Sequence, residues 1–405
     1  APCAFSRSFE ASLMKRTKNV AEFEAWIRSS FVEMNTALEE LYFAQEDRAN
    51  VDGVGDKIKA KIRDEGRDYV KALMLEGNTD EGFDSAFDLL GDLGLYMAAL
   101  RRHELTNPAR EEKSPFFEAS ALGLHIGASL GVTPRFATSH LATRNYAING
   151  RQKSFTSLKD EYLFLDYNTR GIFAYMRAAD ALNRIIPLGV AHPVAQTLLE
   201  DAKAALFDVC KWNDYLFDNL DTDRFFYSVR PYYKPYRVGR HEYRGANAGD
   251  FSGINEIDLL LGLCRGNDPY YSQLLVDKML FMTPDDQVSL RDCLRRTSLL
   301  SEFLAVKDAA QKEAWFKNNA RAFLDVCDVH GKAAAKHHDR LVRRFIEQPS
   351  AKLDPKYLSQ VTASGPPLPV LLQGLEVLRD LRMAAPREDI PSSYKEIAAL
   401  KAAVG

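Results

Sequence analysis

Apolar positions recur at helical spacing along most of the chain. Over residues 20–45 they fall at Phe23, Trp26, Ile27, Phe31, Met34, Leu38 and Leu41, one stripe at about 100° per residue. The same period runs through residues 57–75, 83–100, 158–182 and 193–216, and resumes from Ile254 to Leu263. Two or three further helices are expected up to Ile346, and a closing helix over 370–382. Polar or turn-rich breaks separate them: Asn50 to Asp56, His103 to Ser114, Asn149-Gly150 and Ser364 to Pro369. No convincing set of strands and no internal repeat interrupts this pattern, so the chain is expected to be all-α. The break at 103–114 predicts a small helical N-terminal domain over 1–110 and a large helical domain over 111–405.

The period is most informative around Asp328 to Ile346. Phe323, Leu324, Cys327, Ala334, Leu341, Val342, Phe345 and Ile346 form one stripe, and His338 projects near its middle. His330 and His337 project roughly 80–100° away, towards the edge. An imidazole aimed into an apolar core needs a partner. One reading is a core histidine bonded to a carbonyl or carboxylate. The other is an axial ligand to haem iron, with Ala334 and Ala335 leaving room for a flat macrocycle. A metal held by His330 and His337 lacks a carboxylate at matched spacing.

Composition narrows the class. The 405 residues carry a net charge of −3, which gives no field for nucleic acid or an anionic membrane. No apolar run approaches the ~20 residues of a membrane span, and the first residues lack the apolar core of a signal peptide. Five scattered cysteines without a C-x-x-C pair argue against a disulfide framework or zinc knuckle and predict a cytoplasmic protein. With 17 Tyr and 23 Phe there is material for an aromatic pocket.

Three stretches carry candidate chemistry. Phe116-Phe117-Glu118-Ala119-Ser120, rich in small residues as far as Leu130, predicts a buried helix that something approaches closely. In Phe225-Phe226-Tyr227-Ser228-Val229-Arg230, an arginine four residues after a phenylalanine suits an aromatic amino acid: the guanidinium forks onto its carboxylate and the rings pack on its side chain. A surface arginine stacked on tyrosines is the alternative. Gly245 to Gly253 is a small-residue loop whose backbone suits close approach to a flat ligand. No Ser-His-Asp signature, nucleophile elbow or Walker loop points to hydrolysis or phosphoryl transfer.

The order of these pieces resembles the indoleamine 2,3-dioxygenase family of haem proteins. It comprises Phe116-Phe117-x-x-Ser120, then Phe225-x4-Arg230-x-Tyr232. Ala246-Asn247-Ala248-Gly249-x-x-Ser252 follows, leading to Asp258, and last comes His338-x6-Phe345-Ile346-x-x-Pro349. The run Val229 to Gly239 is closest to the bacterial branch that contains monodechloroaminopyrrolnitrin synthase. The resemblance covers roughly residues 83 to 382. It implies an all-α, two-domain fold enclosing haem b, with His338 as proximal iron ligand and Ser120 on the distal, catalytic side. Phe116, Phe117, Phe225, Arg230 and Thr362 would contact substrate, and Asn247, Ala248, Gly249 and Asp258 would contact cofactor. The implied activity is dioxygenation of tryptophan or a related indole, adding O2 across the indole C2–C3 bond. The alternatives are a specialised-metabolism enzyme that oxidises or rearranges a modified tryptophan, and a haem protein without turnover. Two departures stand out. The family's arginine three residues before the ligand is Ala335 here, leaving Lys336 or Arg340 for the haem propionates. The loop Thr362 to Pro367 is poorer in glycine than the family's.

Overall fold

A computed structural model describes residues 17–76, 82–246, 249–351 and 368–405. Among them the regular structure is helical apart from two three-residue strands, and the all-α expectation holds. It forms two compact units that interleave along the sequence. Of the described residues, the first unit takes 17–162 and 224–246, and the second takes 163–223, 249–351 and 368–405. Residue 110, where the polar break suggests a boundary, lies inside the first unit.

The first unit contains α1 (Lys18–Ile27), α2 (Ser30–Phe43), α3 (Asp56–Glu76), α4 (Phe83–Arg102) and α5 (Phe117–Leu130). A short antiparallel hairpin, β1 (Tyr236–Val238) and β2 (His241–Tyr243), turns at Gly239, whose φ of 60° favours glycine. The apolar period over 20–45 is interrupted at Arg28 and Ser29, where the Arg28 guanidinium donates to the carbonyls of Tyr146 and Arg151. Trp26 centres the core, its ring 5.3–6.1 Å from those of Phe23, Phe31, Tyr69 and Tyr96. Its Nε1 donates to Glu65 at 2.8 Å, so the indole is buried without an orphaned donor. Gly66 lets α3 close onto α4, since a Cβ there would sit 2.2 Å from the Tyr96 ring.

The second unit holds nearly all of α6 (Lys159–Ile185), then α7 (Pro193–Asn219), α8 (Ser252–Leu260), α9 (Pro269–Met279) and α10 (Pro284–Leu294). It continues with α11 (Leu299–Ala310), α12 (Ala314–Lys336), α13 (Leu368–Arg382) and α14 (Tyr394–Val404). Helices α7, α9 and α10 begin with proline in the first turn, where its missing N–H costs nothing. The preceding His192, Asp268 and Thr283 accept a backbone N–H from that turn. Helix α12 runs against α7 and packs on α13 and α14. Phe303, Phe316 and Phe323 interlock in this core at 5.1–6.1 Å and are fully buried, each contributing about 1.5–3 kcal/mol. Gly331 admits the end of α13: a Cβ there would lie 3.1 Å from the Arg382 carbonyl oxygen. After Lys336, α12 passes into a π-helical segment, His337–Glu347. Among the described residues, no helix is long and apolar enough to cross a membrane.

Candidate functional site

His338 stands in the second unit at the start of the π-helical segment, which buries His338, Val342 and Phe345 and turns its arginines outward. The segment is clamped to the end of α7. Lys336 and Arg340 pair with Asp214, Arg340 also with Asp218, and Arg344 donates to the Phe217 carbonyl at 3.0 Å. Rings of Phe217 and Phe345 meet at 6.2 Å. His338 is 7% exposed, and its Nδ1 lies 3.2 Å from Asp339 Oδ1 and 3.4 Å from Arg379 Nη1. Its Nε2 has no hydrogen-bond partner among the described residues. A buried imidazole held at Nδ1 and open at Nε2 fits an axial ligand to haem iron. His337 is half-buried, and its imidazole is pushed down to about 4 by burial, reinforced by the charges of Arg382, His338 and Lys278. Lys336 and Arg340, the expected substitutes for a propionate arginine, are both occupied by the carboxylates of α7.

Arg230 belongs to the first unit. Phe225–Val229 is a π turn closed by the Arg230 N–H to the Phe225 carbonyl, and Arg230–Tyr233 follows as a 3-10 turn containing Pro231. π turns are uncommon and concentrate at functional sites. Residues distant in sequence hold this one. The Arg102 guanidinium forks onto Glu39 with two 2.8 Å bonds and reaches the Tyr227 carbonyl at 2.9 Å. The Tyr232 ring stacks on Phe155 at 4.4 Å, with the His103 ring edge-on at 5.9 Å. Arg230 lies over the Phe226 ring at 5.0 Å, the pairing expected from their spacing. Its guanidinium makes no hydrogen bond or ion pair among the described residues. Burial alone pushes it down to about 10, with no carboxylate to restore it. Lys234 is pushed down to about 7 by burial and by the charges of Arg101, Arg102 and Arg230. This turn is therefore a cationic, desolvated place, suited to a bound anion.

Ser120 lies one turn into α5, 4% exposed, with a hydroxyl that has no partner among the described residues. Phe116 is buried edge-on against Tyr96 at 6.4 Å. Phe117 is 55% exposed beneath the Lys113 ammonium. The small residues of α5 admit protein: a Cβ on Gly127 would meet the Val132 carbonyl at 2.9 Å, and one on Gly123 would touch Leu93. Likewise Gly245 serves the Arg230 turn, since a Cβ there would fall 1.5 Å from the Tyr233 carbonyl oxygen. Phe225 is buried. Gly249 is half-buried, whereas Asn247, Ala248 and Thr362 lie outside the described residues.

Asp258 is fully buried in α8 and accepts from His330 Nε2 at 2.7 Å, from Tyr271 at 2.8 Å, and from Arg382 at 2.8–3.1 Å. Burial raises its carboxyl, but the Arg382 charge and the His330 bond outweigh that and hold it well below the usual carboxylate range. Its oxygens are thus taken up by protein donors, and it ties α8, α12 and α13 together. Among the described residues no cluster of three or more His, Cys, Asp or Glu side chains forms a metal site.

The sequence model of the monodechloroaminopyrrolnitrin synthase PrnB family matches residues 17–404, nearly the whole chain. The chain belongs to that family. The bacterial branch expected from the motifs is thereby shown, and with it membership of a family of haem-dependent oxygenases. Sequence reasoning missed the Glu39–Arg102 clamp, the Asp258 cluster and the neighbours of His338 Nδ1. Of these only Asp339, adjacent to the histidine, left a local signal.

Proposed function

We propose that the protein is a haem b enzyme that uses O2 to oxidise or rearrange tryptophan or a modified tryptophan, gripping the amino acid by its carboxylate at Arg230. The observation that carries this is the desolvated Arg230 guanidinium, which has no counter-charge among the described residues and lies over an aromatic ring. A planar fork of donors suits a carboxylate, and Phe225 and Phe226 beside it suit an indole. His338 is assigned to the iron through its open Nε2. Haem, when bound, supplies the redox chemistry with O2.

The remaining roles belong to the chain's own side chains. Ser120 offers its unpartnered hydroxyl to substrate or oxygen. Phe116, Phe117 and Thr362 are assigned to the substrate, and Asn247, Ala248 and Gly249 to the cofactor. Asp258 acts on the cofactor indirectly, by fixing His330 and Arg382. Holding reactants in one orientation is the protein's main contribution, and no acid-base dyad is required. Two reactions fit: addition of O2 across the indole C2–C3 bond of tryptophan, and rearrangement of a modified tryptophan. The family description favours the second.

Titration of the haem-loaded protein with L-tryptophan, a chlorinated L-tryptophan and tryptamine, followed by the Soret band, tests the assignment. An amino acid should bind roughly 100-fold more tightly than tryptamine, which lacks the carboxylate. Equal affinity for tryptamine would overturn it.

A further inference from the structure

We infer that Asp339 is a positioning residue for the iron ligand: its carboxylate accepts the Nδ1–H of His338 and so selects the tautomer that leaves Nε2 to the metal. This rests on His338 being that ligand. The two neighbours of Nδ1 demand opposite proton placements. Asp339 Oδ1, at 3.2 Å, only accepts, which requires the proton on Nδ1 and a lone pair on Nε2. Arg379 Nη1, at 3.4 Å, only donates, which requires a lone pair on Nδ1 and closes Nε2 to iron.

The shorter contact belongs to the carboxylate. Arg379 spends its better-placed donors elsewhere, with Nε 2.9 Å and Nη2 2.8 Å from Asp380, and Nη2 3.3 Å from Glu376. Asp339 is half exposed, with Arg343 at 3.8 Å. Arg379 and Arg343 therefore temper the negative charge without cancelling its acceptor role. A carboxylate on the outer nitrogen also makes an imidazole a stronger electron donor, and so favours ferric over ferrous iron.

The test uses the full chain, with Asp339→Ala and Asp339→Glu. In haem-free protein carrying ¹⁵N-histidine, nitrogen chemical shifts report the His338 tautomer. We expect Nδ1–H in the wild type, a shift to Nε2–H in Asp339→Ala, where Arg379 is the remaining partner, and recovery in Asp339→Glu. In haem-loaded protein, Asp339→Ala should lower the iron–histidine stretching frequency and reduce the ferric preference roughly tenfold, ~59 mV for a one-electron couple. An unchanged tautomer in Asp339→Ala overturns the inference, even if that variant fails to take up haem. An unchanged iron–histidine band and midpoint potential overturn its electronic part. Retention of a histidine-ligated haem by His338→Ala defeats the ligand assignment instead, and the haem-free tautomer measurement tells the two failures apart.

Discussion

Replacing Arg230 with methionine should move stability and binding in opposite directions. Methionine keeps an apolar stem over Phe226 and removes only the charge. In the ligand-free protein no described residue offers that charge a counter-ion, and burial lowers its proton affinity by between two and three decades. At about 1.4 kcal/mol per decade this amounts to roughly 3 kcal/mol against the charged form. Partial exposure of the side chain and the tenacity of arginine for its proton reduce that to ~1–2 kcal/mol. Ligand-free Arg230→Met should therefore resist urea better than the wild type by about that amount. Binding should suffer. Two charge-assisted hydrogen bonds to a carboxylate, at about 1.5–3 kcal/mol each, are lost, which weakens L-tryptophan or a chlorinated L-tryptophan by roughly 100- to 10,000-fold. Urea unfolding without ligand and Soret titration with it read the two effects separately. A variant less stable by more than about 1 kcal/mol, or one that binds within about threefold of the wild type, would refute the reasoning.

Other perturbations follow from the same geometry. Asp258→Asn leaves Arg382 buried without its counter-charge and should cost ~3–5 kcal/mol in chemical denaturation. Because the Asp258 carboxyl is depressed on folding, its stabilisation is fully present above about pH 4 and fades as pH falls towards the lower folded value. The variant should accordingly show a flatter acid limb. Gly245→Ala forces a methyl into the Tyr233 carbonyl and should weaken amino acid binding at least about tenfold while the ligand-free Soret band stays unchanged. Ser120→Ala removes a hydroxyl that bonds to none of the described residues, so stability should stay within about 0.5 kcal/mol while turnover falls.

Helical periodicity made most of the fold legible. It located α3, α4, α6 and α7 to within a few residues, and it picked His338 as an inward histidine of its stretch. It failed where the chain leaves the α period or where contacts are distant. The stripe over 20–45 reads as one helix because the apolar spacing continues across Arg28 and Ser29. The π segments Phe225–Val229 and His337–Glu347 depend on backbone bonding that side-chain spacing does not encode. His330 projects to the edge of the stripe, yet it is 1% exposed because Asp258, 72 positions away, gives it a partner. Small residues in α5 suggest a close approach and those from Gly245 suggest room for a flat ligand; Gly123, Gly127 and Gly245 make room for neighbouring protein atoms. Helix α14 was not anticipated, although it buries Ile397, Leu400 and Val404. The candidate site was legible as residue types in order. The lack of a counter-charge for Arg230 among the described residues was not, because local spacing does not encode which distant side chains pair.

The proposed function depends on haem binding through His338. The most direct measurement is haem titration of His338→Ala and His337→Ala beside the wild type, followed in the ferric and dithionite-reduced Soret region. His337→Ala should take up haem with a wild-type, histidine-ligated spectrum, and His338→Ala should lose that spectrum. An unaltered histidine-ligated spectrum in His338→Ala, or no haem uptake by the wild type, would contradict it.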